Sequence, residues 1–314
     1  MKILVVEKLE KDVLDWLATR YSTRFAPELA ADTLGLRLAL QDIAAVVLPS
    51  SVKVDSAWLL QAPVLRVLGR MSDSADTQER TACEQAGVSW VGSSLSGSRA
   101  QAEFMLSSML SMLRKVPFAS VDGHWVGREI GGSTVGFIGL SRASKPLASW
   151  LAGMGAKVVG WDPELPLEDA VWSRWGITHL SPESVLQQAD ALCIQSSNAQ
   201  VPCLNEHLMR FCKRHQVWVS TSPSSLLPLP ALTRALSSGM LAAAWLDCSE
   251  VAGNSTDVNA LAKLPQVHLT NQLASRTFDA WQRAGWEVAR RLDQLLMPQT
   301  APSSGPAQPL QLVA

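Results

Sequence analysis

The chain has 314 residues, 27 of them basic and 28 acidic, with 47% hydrophobic and 18% charged residues. That composition supports two ordinary domains with large cores and excludes global disorder. The net charge of −1, without a basic run or stripe, argues against nucleic acid, and no apolar stretch approaches the roughly 20 residues of a membrane span.

The opening, Met1 to Glu7, turns acidic too soon for a signal peptide and reads as a buried strand, which implies a cytoplasmic protein. Further strands are expected at 44–48, 66–68 and 89–91, with helices at 10–19 and 77–86 between them. A strongly apolar helix follows at 99–113, then a polar, glycine-containing connection at 124–132. Beyond it, strands are expected at 134–138, 157–161, 191–195, 216–221, 242–247 and 267–270. One intervening helix is signalled by Ser181 as its cap with Pro182 in the first position. An amphipathic helix at 276–296 ends the pattern, and the Pro/Ser/Ala-rich tail 298–314 reads as disordered. Alternating strands and helices predict an α/β fold with parallel sheets. The five cysteines carry no C-x-x-C pair and fit neither a zinc site nor a disulfide frame; they read as reduced thiols, and no metal is expected.

The stretch GGSTVGFIGLSRASKPLASWLAGMGAKVVGWDP (131–163) has the layout of a dinucleotide-binding βαβ unit: strand, turn, helix, strand, and a terminal Asp162 roughly 20 residues beyond the turn. Its glycines are largely replaced. The G-x-G-x-x-G turn is written Gly139-Leu140-Ser141-Arg142-Ala143-Ser144. Gly139 keeps the tight turn. Ser141 puts a Cβ and a hydroxyl where the backbone should approach a pyrophosphate, and Ser144 enlarges the helix–strand contact. Arg142 offers a charge-assisted contact to a phosphate, and Asp162 a carboxylate for ribose hydroxyls. Trp161 either borders an adenine pocket or, as buried tryptophans usually do, packs in the core.

On these residues the chain resembles the D-2-hydroxyacid dehydrogenases, in particular their phosphoglycerate dehydrogenase branch, over about residues 1–297. The resemblance is carried by RVLGRMSDSADTQERTACEQAGVSWV (66–91), AQAEFMLSSMLSMLRK (100–115), the dinucleotide unit, QVWVSTSPSSLLPLPALTRALSSGMLAAAWLDCSE (216–250) and LPQVHLTNQLAS (264–275). It implies two doubly wound parallel-sheet domains. The first, flavodoxin-like and of substrate type, covers 1–98 plus 274–297. The second, a Rossmann-type dinucleotide domain, covers 99–273.

The resemblance also implies where the family's chemistry should lie. An arginine that grips the substrate carboxylate would follow the strand 217–221; Pro223 stands there, with neither charge nor donor. The general acid/base histidine falls on Gln272, whose amide exchanges no proton near neutral pH. The glutamate that raises its pKa falls on Ala252. His268, in the strand before Gln272, reads as an ordinary histidine. The glycine-rich substrate loop carries Ser72, Asp73 and Ser74, which remodel its anion nest. Asp247 falls near where the family holds the nicotinamide carboxamide, or else caps a strand end.

These changes imply a ligand-binding or regulatory pseudoenzyme with a small-molecule or protein partner, a homodimer as in the family, and weak binding of NAD(H) through Gly139, Ser141, Arg142, Ala143, Asp162 and Asp247. The alternative is an NAD(H)-dependent oxidoreductase, or another enzyme, with a rebuilt active site for a small hydroxy or oxo acid or a related metabolite.

Overall fold

The computed structural model describes residues 1–72, 77–93, 96–115, 118–119, 125–195, 204–248 and 256–297. It divides into two compact units, Met1–Ser94 with the chain from Gln282 onward, and Leu95–Trp281.

The first unit runs β1 (Lys2–Val5), α1 (Lys11–Ala18), β2 (Ser22–Phe25), α2 (Thr33–Ala39), β3 (Ala45–Val47), α3 (Ser56–Leu59), β4 (Val67–Arg70), α4 (Thr77–Gln85) and β5 (Ser89–Gly92). All five strands are parallel, in the order β2-β1-β3-β4-β5, which is the flavodoxin-like winding. Helices cover both faces, so β3 and β4 are buried throughout and their Val/Ala/Leu runs do not alternate. β2 had no signature in the sequence because it is an edge strand, polar and largely exposed.

The second unit runs α5 (Ser98–Leu113), β6 (Phe118–Ala119), β7 (Trp125–Val126), β8 (Thr134–Ile138), α6 (Ser144–Gly153), β9 (Lys157–Trp161), α7 (Ala170–Trp175), β10 (Thr178–His179), α8 (Pro182–Gln188), β11 (Ala191–Ile194), β12 (Gln216–Ser220), α9 (Leu229–Ser237), β13 (Leu241–Asp247), α10 (Thr256–Ala262) and β14 (Val267–Thr270). Strands β6 and β7 form an antiparallel pair. The other seven make a parallel sheet in the order β10-β9-β8-β11-β12-β13-β14. Its order reverses between β8 and β11, the switch point of a Rossmann-type sheet. The α8 cap is as the sequence signals: Ser181 Oγ accepts the Ser184 N–H at 3.3 Å, with Pro182 in the first turn. On α5, Met105, Met109 and Met112 are buried in one core with Val217, Val219 and Cys193 of the sheet.

The last helix, α11 (Phe278–Leu296), turns Ala284, Val288, Ala289, Leu292 and Leu296 into the core of the first unit, beside Ile3, Val5, Val13 and Leu17. That spacing is the apolar stripe of an amphipathic helix. Gly69 in β4 permits the approach, because a Cβ there would lie 2.9 Å from Val288 Cγ1. No helix among the described residues is long and apolar enough to cross a membrane.

Candidate functional site

Ligands of open parallel sheets bind beyond the carboxyl ends of the strands, at the switch point. Strand register decides which residues of the second unit meet there. Ile138 pairs with Trp161 on one side and Ile194 on the other, so the next residues, Gly139, Asp162 and Gln195, emerge together. Gly139 has φ +76°, a left-handed conformation that glycine adopts without steric cost, and its N–H donates to Trp161 O at 2.8 Å.

The turn that follows is closed by its own serines and by Asp162 from the end of β9. Leu140 N–H donates to Asp162 Oδ2 at 2.6 Å, Ser141 N–H to Ser144 Oγ at 3.0 Å, and Ala143 N–H to Ser141 Oγ at 3.1 Å. Ser144 N–H donates to Ser141 O at 3.0 Å. Ser144 Oγ in turn donates to Gln195 Oε1, and Gln195 Nε2 lies 3.1 Å from Met105 Sδ. Ser144 and Gln195 are fully buried, Ser141 is half-buried and Arg142 is exposed. Gln195 escaped sequence reasoning: an amide ending an apolar strand carries no motif, and its importance lies in what it touches.

Asp162 is buried, with one N–H on each oxygen; Oδ1 accepts from Glu164 N–H at 2.8 Å. A carboxylate has about four acceptor directions, so capacity for ribose hydroxyls remains. The residues therefore fit the ribose of a dinucleotide. They fit its pyrophosphate poorly, because the Leu140, Ser141, Ala143 and Ser144 N–H groups of the turn already have partners. Trp161 is half-buried and packs against the core that contains Ile138 and Val159.

At the far end of the sheet, Asp247 ends β13 beside Thr270 of β14. Asp247 Oδ1 accepts from Thr270 Oγ1 and Leu273 N–H, both at 2.7 Å, and Oδ2 from Ala274 N–H at 2.8 Å. The carboxylate ties down the loop carrying Gln272. That residue is exposed, has φ +51°, and accepts from Arg276 Nη2 at 3.4 Å. A side chain in the left-handed region costs about 1–2 kcal/mol. Gln272→Gly is expected to raise stability by about 0.5–1 kcal/mol, after allowance for the freer unfolded chain. A lower urea midpoint for that variant would refute the claim of strain.

Pro223 follows β12, half-buried between the buried Ser222 and Ser224. His268 lies in β14 with its ring 4.7 Å from that of Trp245. Among the described cysteines none is disulfide-bonded, and burial pushes the Cys83, Cys193 and Cys212 thiols up, which leaves them poor nucleophiles.

Asp73, Ser74 and Ala252 lie outside the described residues, and Ser72, in the first unit, is exposed. The carboxyl end of this sheet holds a feature the sequence did not announce. Arg70, buried, pairs with Glu79 through both oxygens and donates to Pro49 O and to Val52 O. Glu7, just after β1, is half-buried, and that burial pushes its carboxyl above the usual range despite the nearby Arg70 charge.

Comparisons with known proteins agree with this architecture. Residues 106–274, more than half of the chain, match the model of the D-isomer specific 2-hydroxyacid dehydrogenase NAD binding domain. A D-3-phosphoglycerate dehydrogenase of Mycobacterium tuberculosis is 27% identical over 312 residues, covering 96% of this chain and 58% of that protein. The Sus scrofa enzyme of that name is 27% identical over 260 residues, covering 80% and 48%. The chain thus spans about half the length of the curated relatives it matches. Among solved structures, a D-2-hydroxyisocaproate dehydrogenase superimposes with a TM-score of 0.79 at 20% identity, over 94% of this chain and 97% of that one. A D-lactate dehydrogenase from Aquifex aeolicus, complexed with NAD and lactic acid, does so with a TM-score of 0.68 at 17% identity, over 93% and 94%. The two parallel sheets, the switch-point turn with its terminal aspartate, and the match over 106–274 have one common explanation: this chain belongs to the D-isomer specific 2-hydroxyacid dehydrogenase family.

Proposed function

We propose that this family member works by binding a small molecule or a protein partner, without the hydride transfer and proton relay of a 2-hydroxyacid dehydrogenase. The observation that carries the reading is the pair of side chains beyond β12 and β14, Pro223 and Gln272. Reduction of a 2-oxo acid needs a cation to hold the carboxylate and a proton donor for the nascent alkoxide. Pro223 supplies no charge, and Gln272 supplies an amide that does not titrate. His268 does not replace the donor, since its ring stacks on Trp245 within the strand pair β13–β14. The nucleotide in this reading is NAD(H), held weakly, with Asp162 at the ribose. An NADP(H) 2′-phosphate would meet the negative charge of that carboxylate.

The test follows NADH absorbance with pyruvate, glyoxylate, hydroxypyruvate and 2-oxoglutarate. Loss of a general acid/base alone lowers rates about 10²–10⁴-fold, so only trace oxidation is expected. Turnover of about 1 s⁻¹ or faster, the low end for ordinary enzymes, would overturn the proposal in favour of a rebuilt NAD(H)-dependent active site.

A further inference from the structure

The serines of the nucleotide turn do more than enlarge it. Where a glycine turn leaves its N–H groups directed at a phosphate, this turn supplies serine acceptors for two of them, and Asp162 takes a third. Ser144 Oγ accepts from Ser141 N–H, Ser141 Oγ accepts from Ala143 N–H, and Asp162 accepts from Leu140 N–H. Pro146, in the first turn of α6, has no N–H to offer.

We propose that Ser141, Ser144 and Gln195 form a latch across the switch point, which holds the Ser141 and Ala143 N–H groups inside the protein and withholds them from the pyrophosphate of a dinucleotide. The proposal deepens the reading above and rests on it: the nucleotide is taken to bind at this switch point. The latch spans the crevice itself, because Ser144 begins the helix after β8 and Gln195 follows β11, the two strands between which the sheet order reverses. Gln195 also donates its backbone N–H to Ile138 O at 3.0 Å, which fixes it to the end of β8. With Nε2 directed at Met105 Sδ, its Oε1 faces the Ser144 hydroxyl. Ser144 and Gln195 are 0% and 1% exposed, so water does not compete for the bond between them. The hydroxyl proton of Ser144 is thereby committed, and its lone pair holds Ser141 N–H. A pyrophosphate gains these donors only if the bonds break first. Weak dinucleotide binding then follows from occupied donors more than from the bulk of the Ser141 Cβ.

Alanine substitutions separate the two causes, since alanine keeps the Cβ and removes the hydroxyl. Calorimetric titrations would use adenosine, which presents the ribose to Asp162 without phosphate, and ADP-ribose, which adds the pyrophosphate. For the unaltered protein, ADP-ribose is expected to bind within about threefold of adenosine. Ser141→Ala and Ser144→Ala should each tighten ADP-ribose about tenfold, the usual scale for one charge-assisted hydrogen bond, and leave adenosine unchanged. Ser141→Gly should match Ser141→Ala. A thermal melt of each variant checks the fold, and should Ser144→Ala unfold, the half-buried Ser141→Ala carries the test alone. ADP-ribose binding the unaltered protein more than tenfold tighter than adenosine would overturn the latch and leave the nucleotide reading standing. So would tightening by Ser141→Gly only, or by no variant while adenosine binds. Absence of binding by both probes to every variant would overturn the nucleotide reading together with the latch.

Discussion

Glu79→Ala is expected to destabilise the first unit by about 3–5 kcal/mol, the range for breaking a buried ion pair from one side. The side chains of Arg70 and Glu79 are 6% and 9% exposed. Glu79 accepts Arg70 Nε at 3.0 Å and Trp90 Nε1 at 2.9 Å on one oxygen, and Arg70 Nη2 on the other. Its removal leaves a guanidinium and an indole N–H without their acceptor in a dry environment, and that desolvation is the larger part of the cost. Glu79→Gln should fall between, since the amide keeps one acceptor. Replacing both partners, as Arg70→Met with Glu79→Leu, should recover much of the loss in stability. It should also loosen the segment after β3, because Arg70 donates to Pro49 O and Val52 O as well. Denaturant titration followed by tryptophan fluorescence, with Trp90 beside the pair, reads these differences. A midpoint for Glu79→Ala within about 0.5 kcal/mol of the unaltered protein, the spread of ordinary surface substitutions, would show that the pair does not matter.

That pair marks where the sequence stops being legible. The buried strands announce themselves, since runs such as Ile3-Leu4-Val5 and Val217-Trp218-Val219 need no partner to be read as strands. Their doubly wound order follows from short connections and right-handed crossovers. β2 and β10 were silent because they are short, polar edge strands. The candidate site was legible in its residue types and not in their partners. Asp162 and Asp247 stand out as carboxylates ending strands, which reads as a ribose contact for Asp162 and as either a nicotinamide contact or a strand-end cap for Asp247. In the structure Asp247 accepts three hydrogen bonds from the loop at Thr270–Ala274, and Asp162 accepts two from Leu140 and Glu164. Ser141 and Ser144 looked like obstacles of added volume, whereas their hydroxyls act as acceptors for the turn. Such hydrogen bonds depend on loop conformation to a few tenths of an ångström, and residue spacing does not encode it.

The other large effect is expected at Asp190, at the foot of β11 in the second unit. Its Oδ2 accepts Thr134 N–H at 2.9 Å, and its Oδ1 takes Lys213 Nζ at 2.5 Å together with the Arg128 guanidinium. One buried carboxylate thus ties the start of β8 to the segment before it and to the turn leading into β12. Burial alone would raise the Asp190 pKa. The Lys213 hydrogen bond, the Thr134 N–H and the charges of Arg128 and Lys213 outweigh it and hold the carboxyl below the usual aspartate range. A folded value below the unfolded value of about 3.9 stabilises the unit fully above about pH 4, and this contribution is lost as pH falls through the folded value. Asp190→Asn keeps an acceptor for Thr134 and loses the charge. Arg128 and Lys213 are 28% and 41% exposed, so water recovers part of their solvation. The expected cost at pH 7 is therefore about 2–3 kcal/mol, below the full range for a buried pair. Urea midpoints by circular dichroism at pH 7, 5, 4 and 3 should show a constant gap between the two proteins down to about pH 4, and a shrinking one below it. A gap of undiminished size at pH 3, or one that widens, would mean that the Asp190 charge is not what holds these segments together.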